Sequence, residues 1–120
     1  MKAPTKDFEL FKSECWKWIN KLGLTEWKVH FRFKDMGNPN IGAHTDYDCN
    51  ASAACLTLNS GAERDVDKAL FFSSVEDSAK HEVMHLLLAK LSWKASARVI
   101  GEGELEEAEH GIVMRLMKIL

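Results

Sequence analysis

Residues 81–89 read His-Glu-Val-Met-His-Leu-Leu-Leu-Ala, and this stretch decides the fold. Apart from His81, Glu82 and His85, every side chain in it is apolar, and a helix that is apolar nearly all round belongs in the middle of a domain. Two histidines and a carboxylate on such a helix need partners, because buried polar groups left unpaired are costly. The stretch therefore predicts a central helix over residues 75–91 that carries a polar site.

The three polar residues follow the pattern H-E-x-x-H. Residues four positions apart lie on one face of a helix, so His81 and His85 can bind one metal ion. Glu82 lies about 100° round the helix, where it can take a proton from a metal-bound water and hand it to a leaving amine. The pattern predicts a Zn²⁺ site with two histidine ligands and Glu82 as general base. The alternative is a chance match, with both histidines satisfied by hydrogen bonds in the core.

A catalytic zinc site needs a third protein ligand and one open position. Leu91 stands where metzincins place a third histidine, so that class is excluded. On a final helix predicted over residues 104–120, Glu109 falls near the middle of the apolar face, where a carboxylate requires a partner such as a metal. Glu109 is the predicted third ligand, and Glu106 and His110 remain alternatives. A solvated helix N-terminus accounts for the other acidic residues there.

The rest of the chain predicts a small scaffold of helix and strands. An apolar stripe at three- and four-residue spacing predicts a helix over residues 5–22, ended by Gly23. Strict alternation predicts a half-buried strand over residues 27–34, and shorter patterns predict strands over residues 43–47 and 51–59. Residues 51–59 are the predicted sheet edge for an extended peptide, or else their alanines let a helix pack closely. The connecting segments are residues 35–42, residues 65–73 (a short helix or a strand) and residues 92–103.

Several further polar residues are candidates for supporting roles. His44 or Tyr47 could stabilise an oxyanion, although a solvated turn also explains them. Ser74 is the predicted N-cap of the central helix. Asp77 and Ser78 could hydrogen-bond a ligand histidine, and helix capping explains Asp77 equally well.

Two segments carry a family resemblance. The stretch HEVMHLLLAKL at residues 81–91, followed by EEAEHGIVMRLMKIL at residues 106–120, resembles a group of small zinc metallopeptidases of bacteriophages and prophages. The likeness covers roughly the last third of the chain closely, and the remainder only in layout. It implies a minimal zincin-like fold and a gluzincin-type site, in which His81, His85 and Glu109 are ligands and Glu82 is the general base.

Composition bounds the class of protein. The 120 residues suit one α+β domain spanning residues 1–120. A formal net charge of -2 gives no electrostatic reason to expect nucleic acid or an anionic membrane as partner. Three cysteines without a CxxC pair predict reduced thiols. With no apolar leader or membrane span, we expect a cytoplasmic protein, located in the host cytoplasm if it is phage-encoded.

These features predict a zinc metallopeptidase that acts on a peptide or protein substrate. The alternative is a non-catalytic, zinc-stabilised binding module, such as a phage protein acting on a host partner. A fourth protein ligand would favour the module, and an open position would favour catalysis. The sequence leaves the substrate, the cleavage specificity and the oligomeric state open.

Overall fold

The computed structural model describes residues 5–62, 74–96 and 102–119. The elements follow in the order α1 (Thr5–Lys21), β1 (Lys28–Lys34), β2 (Ala43–Asp48), β3 (Ala53–Asn59), α2 (Val75–Ser96) and α3 (Glu102–Met117). The predicted α+β class is confirmed, with an N-terminal helix, a small mixed sheet, the motif helix and a C-terminal helix. The predicted segment at residues 65–73 lies outside the described residues. None of the described helices is long and apolar enough to cross a membrane.

The N-terminal helix α1 forms as its apolar spacing predicts. Its stripe of Phe11, Cys15 and Ile19 is buried. The helix ends where Gly23 adopts a positive φ of 68°, a conformation that glycine reaches without steric cost. The amide of Leu24 then donates to the carbonyl of Ile19 at 2.9 Å, which satisfies one of the last helical acceptors.

The sheet has the order β1-β3-β2, with β3 parallel to β1 and antiparallel to β2. The prediction that residues 51–59 form the sheet edge is therefore wrong, because β3 is the central strand. The physical reason is the tight turn at residues 49–52, which returns the chain from β2 directly alongside itself. Strand β1 then pairs with the other side of β3, so β1 and β2 are the edges of the sheet among the described strands.

One face of the sheet carries the core. The side chains of Ala54, Leu56 and Leu58 on β3 are buried against the helices. On β1, Phe31 and Phe33 contact rings of α1, with the Phe8 and Phe33 rings stacked at a centroid distance of 5.1 Å. Lys28, His30, Arg32 and Lys34 point to the opposite, exposed face, as the alternation predicts.

Helix α2 contacts α1, β2 and α3. Its start is the predicted cap, since the amide of Asp77 donates to Ser74 Oγ at 3.0 Å. The helix continues to Ser96, so the predicted loop at residues 92–103 is wrong for its first five residues, and α3 also begins within it, at Glu102. Neither glycine nor proline occurs at residues 92–96 to stop the helix. Residues 97–101 lie outside the described part of the chain.

Helix α3 presents most of the predicted apolar face to the protein, but it is rotated so that Glu109 lies outside the partly buried stripe. The partly buried positions include Leu105, Ala108, Ile112, Arg115 and Leu116, whereas Glu109 is exposed. The prediction that Glu109 occupies a buried stripe is therefore wrong. Val113 is 45% exposed and Gly111 and Arg115 line the groove against α2, so the inward face is rotated away from Glu109.

Candidate metal centre

His81 and His85 converge on one point beside α2. Their Nε2 atoms are 3.0 Å apart, with the two ring planes at 87°. A tetrahedral zinc ion with Zn–N bonds of about 2.0–2.1 Å would separate two ligand nitrogens by roughly 3.3 Å, so a small rotation of either ring would admit the ion. The pair is accessible from solvent, because His85 is exposed and His81 is half-buried. The two histidines thus present two nitrogen atoms that could together bind one metal ion.

The carboxylate of Glu82 lies next to this pair. Glu82 is only 5% exposed, and its Oε1 accepts a hydrogen bond from Thr45 Oγ1 at 2.8 Å. Its other oxygen, Oε2, lies 4.0 Å from His81 Nε2. One oxygen is thus held by the protein, and the other is adjacent to the point where the imidazoles converge. This is the position that a proton acceptor beside a metal-bound water needs.

Strand β2 and helix α2 together hold this arrangement. Thr45 contacts Glu82 near one end of the strand, and Cys49 Sγ donates to the carbonyl of Ala89 at 3.8 Å beyond the other end. The edge strand β2 therefore runs along α2 beside the histidines. On the opposite side of the helix, Val83 and Leu86 are buried in the core and fix how far the helix can rotate.

The structure does not bring the predicted third ligand to the histidine pair. Within residues 5–62, 74–96 and 102–119, no group of three or more His, Cys, Asp or Glu side chains could hold a metal ion. The reason is the course of α3. Helix α3 contacts the C-terminal half of α2, since Ala108 and Arg115 line a groove together with Lys94. Glu109 is exposed on α3 and does not line this groove.

The alternatives for the third ligand, Glu106 and His110, lie on the same exposed part of α3 as Glu109. Neither joins the histidine pair in a metal-binding group within the described residues. The assignment of Glu109 as a ligand stays a prediction that metal-binding measurements can test.

The other polar candidates lie apart from the site. His44 Nε2 is 3.2 Å from Asp46 Oδ1 in an exposed pair, on the face of β2 opposite to Thr45. The Tyr47 ring packs edge-on against Trp27 at a centroid distance of 6.3 Å. Asp77 is exposed, and its amide takes part in the helix cap. None of these three has a described contact with the histidine pair.

Sequence reasoning missed Thr45. Its position in the alternation of β2 indicates an inward-facing hydroxyl, and this was the available signal. The partner could not be inferred, because Thr45 and Glu82 are 37 residues apart in the chain and meet only through tertiary packing.

Beneath the site, Cys15 is fully buried on α1, with its Sγ 4.0 Å from the carbonyl oxygen of Ala79. Burial raises the pKa of the Cys15 thiol well above its ordinary range, and the negative charges of Glu82 and Glu14 raise it further. The thiol therefore stays protonated, whereas metal ligation requires a thiolate. Cys15 contributes packing under Glu82 and is no candidate ligand.

The comparisons with known proteins add no relative: no family model matches the chain, and no curated protein or solved structure matches it significantly.

Proposed function

We propose that this chain is a zinc-dependent metallopeptidase. The observation that carries the proposal is the convergence of the His81 and His85 Nε2 atoms, with a Glu82 carboxylate oxygen 4.0 Å from the first of them. The alternative, in which both histidines are satisfied by hydrogen bonds in the core, fits poorly because His85 is exposed and His81 is half-buried. It also gives no reason for the glutamate between them to be buried.

A buried carboxylate is costly unless a positive charge or hydrogen bonds compensate it. Apart from His81, no basic side chain in the described part of the chain forms an ion pair with Glu82. Its hydrogen-bond donor is the uncharged hydroxyl of Thr45. A divalent cation on the histidine pair would supply the missing charge, which supports metal binding at this point.

The residues divide the chemistry in a simple way. His81 and His85 would hold the ion through Nε2. When bound, zinc polarises a carbonyl and lowers the pKa of a coordinated water. Glu82 would accept the proton of the attacking water on Oε2 and return it to the nitrogen of the departing amine. Glu109 stays the predicted third ligand, although within the described residues no third His, Cys, Asp or Glu side chain joins the histidine pair.

The proposed substrate is an extended peptide or protein segment. Among the described strands, β2 is an edge of the sheet, and it contacts α2, the helix that carries the histidines. An exposed strand edge offers unpaired backbone donors and acceptors to an extended chain. The proposed compartment is the cytoplasm, since Cys15, Cys49 and Cys55 are all free thiols.

Cleavage of an extended peptide library by zinc-loaded protein tests the proposal. We expect cleavage by the wild type and a loss of roughly 10²–10⁴-fold in kcat for Glu82→Gln, with zinc still bound. Glu26→Gln is the matched control, because it removes one carboxylate at an exposed ion pair away from the histidines.

Two results would overturn the proposal. Equal cleavage by wild type and Glu82→Gln would assign the activity to something other than this site. Zinc binding without any cleavage would instead favour the non-catalytic, zinc-stabilised binding module.

A further inference from the structure

The side chain of Thr45 connects the edge strand to the general base. Its Oγ1 lies 2.8 Å from Glu82 Oε1 and 3.2 Å from the backbone carbonyl oxygen of Glu82. A hydroxyl has one proton to donate. The shorter distance and the charge of the acceptor both favour the carboxylate, since hydrogen bonds to ionised groups are shorter and stronger than neutral ones.

We propose that Thr45 is a positioning residue for Glu82, an inference that rests on the metallopeptidase function proposed above. Within the described residues, the Thr45 hydroxyl donates a hydrogen bond to this carboxylate. By holding Oε1, it fixes the rotation of the carboxylate and leaves Oε2 on the side of His81. A general base must lie within hydrogen-bond reach of the proton that it abstracts, so this rotation sets its efficiency.

The position of Thr45 gives this contact a second consequence. Thr45 belongs to β2, which lies at the sheet edge among the described strands and would receive the substrate, and its side chain is partly buried. A displacement of β2 on peptide binding would therefore move the donor and with it the carboxylate. One hydrogen bond thus links Glu82 to β2, so the orientation of the carboxylate depends on the position of the strand.

A purely structural role is the competing explanation, in which Thr45 only ties β2 to α2. The two roles differ in what they change. A structural tether affects stability and, through the strand edge, KM. A positioning residue affects kcat while zinc binding is retained.

The test compares four zinc-loaded variants in the peptide-cleavage assay. Thr45→Val keeps the shape of the side chain and removes the donor, and Thr45→Ala removes the donor without a branched side chain. Thr45→Ser keeps the donor. Tyr47→Phe is the matched control, because it removes a hydroxyl from the same strand away from Glu82.

We expect kcat to fall roughly 10–100-fold in Thr45→Val and Thr45→Ala, as is typical when the support of a reactive group is lost. KM and zinc content should stay near wild type. Thr45→Ser should recover kcat to within severalfold, and Tyr47→Phe should match the wild type.

Full kcat in Thr45→Val would overturn the positioning role while leaving the metallopeptidase function intact. A fall in kcat that Thr45→Ser does not rescue would do the same. Unfolding of both donor-free variants would make Thr45 a structural tether and also overturn it. An inactive wild type with bound zinc would overturn both proposals together, so the two failures are distinguishable.

Discussion

Two glutamates, Glu26 beside α2 and Glu82 within it, have different surroundings. Glu26, in the connection between α1 and β1, has a partly exposed side chain, and its Oε1 lies 2.9 Å from Arg115 Nη2 and 3.7 Å from Lys90 Nζ. Glu82 is buried, and its hydrogen-bond donor is the uncharged hydroxyl of Thr45. Among the described residues, the exposed carboxylate has two cationic partners, and the buried one has only the His81 imidazole, at 4.0 Å.

We interpret this difference as that between a structural ion pair and the site of the proposed chemistry. The charge of Glu26 is compensated within the fold, so the cluster ties α3 to the rest of the protein and needs nothing else. The charge of Glu82 is incompletely compensated, beside two histidines that face solvent. A fold retains such an arrangement at a cost in stability, and functional sites are where that cost is expected.

The largest expected effect is on the free energy of unfolding, which Glu82→Gln should raise and Glu26→Gln should lower. In metal-free protein, Glu82→Gln removes a buried charge and should raise the free energy of unfolding by about 2 kcal/mol. Urea unfolding in the presence of a chelator measures it. Added zinc should reduce this difference in the free energy of unfolding, because it should stabilise the wild type more than the variant. A destabilised Glu82→Gln protein would show that the carboxylate is already compensated.

The next effect concerns pH and the thiol beneath the site. Because burial and the charge of Glu82 raise the pKa of Cys15 in the folded state, its thiol stays protonated above its ordinary pKa of 9.0, while the unfolded chain ionises there. Stability from this group is complete below that pH and falls above it by up to about 1.4 kcal/mol per pH unit. Urea unfolding between about pH 8 and 10 should show a shallower decline for Cys15→Ala. Equal slopes for both proteins would contradict the assignment.

The smallest effect belongs to the exposed ion pair. Glu26→Gln should lower the free energy of unfolding by less than about 1 kcal/mol, because exposed salt bridges contribute little and salt screens them. Unfolding at low and high sodium chloride should show the difference shrinking with salt. Glu104→Gln, at another exposed glutamate, serves as control. If Glu26→Gln lowered the free energy of unfolding as much as the loss of a buried group does, the two glutamates would no longer differ as described.

Local patterns predicted the elements well. The spacing of Phe11, Cys15 and Ile19 gave α1, and the alternation of β1 gave its buried and exposed faces. The motif also predicted that His81 and His85 would share one face of α2. These features depend on helix and strand periodicity, which a sequence carries directly.

Non-local geometry explains what the sequence could not provide. Strand β3 is central because it pairs with β2 on one side and with β1 on the other. No single strand of the sequence encodes that order. The rotation of α3 depends on Arg115 reaching Glu26 across 89 residues, which turns Glu109 outward. The contact between Thr45 and Glu82 likewise requires two elements to meet in space.

The most direct test of the central claim is the zinc content of the protein purified without added metal. Wild type, His81→Ala, Glu109→Ala and the exposed-histidine control His30→Ala would be measured side by side. The account predicts about one zinc per chain in wild type and control, and none in His81→Ala. Loss of zinc in Glu109→Ala as well would establish Glu109 as the third ligand. Zinc that is retained in Glu109→Ala but lost in His81→Ala would exclude Glu109 as the third ligand and still support the histidine pair as ligands. Wild-type protein that holds no zinc, even after zinc is offered, would contradict the account.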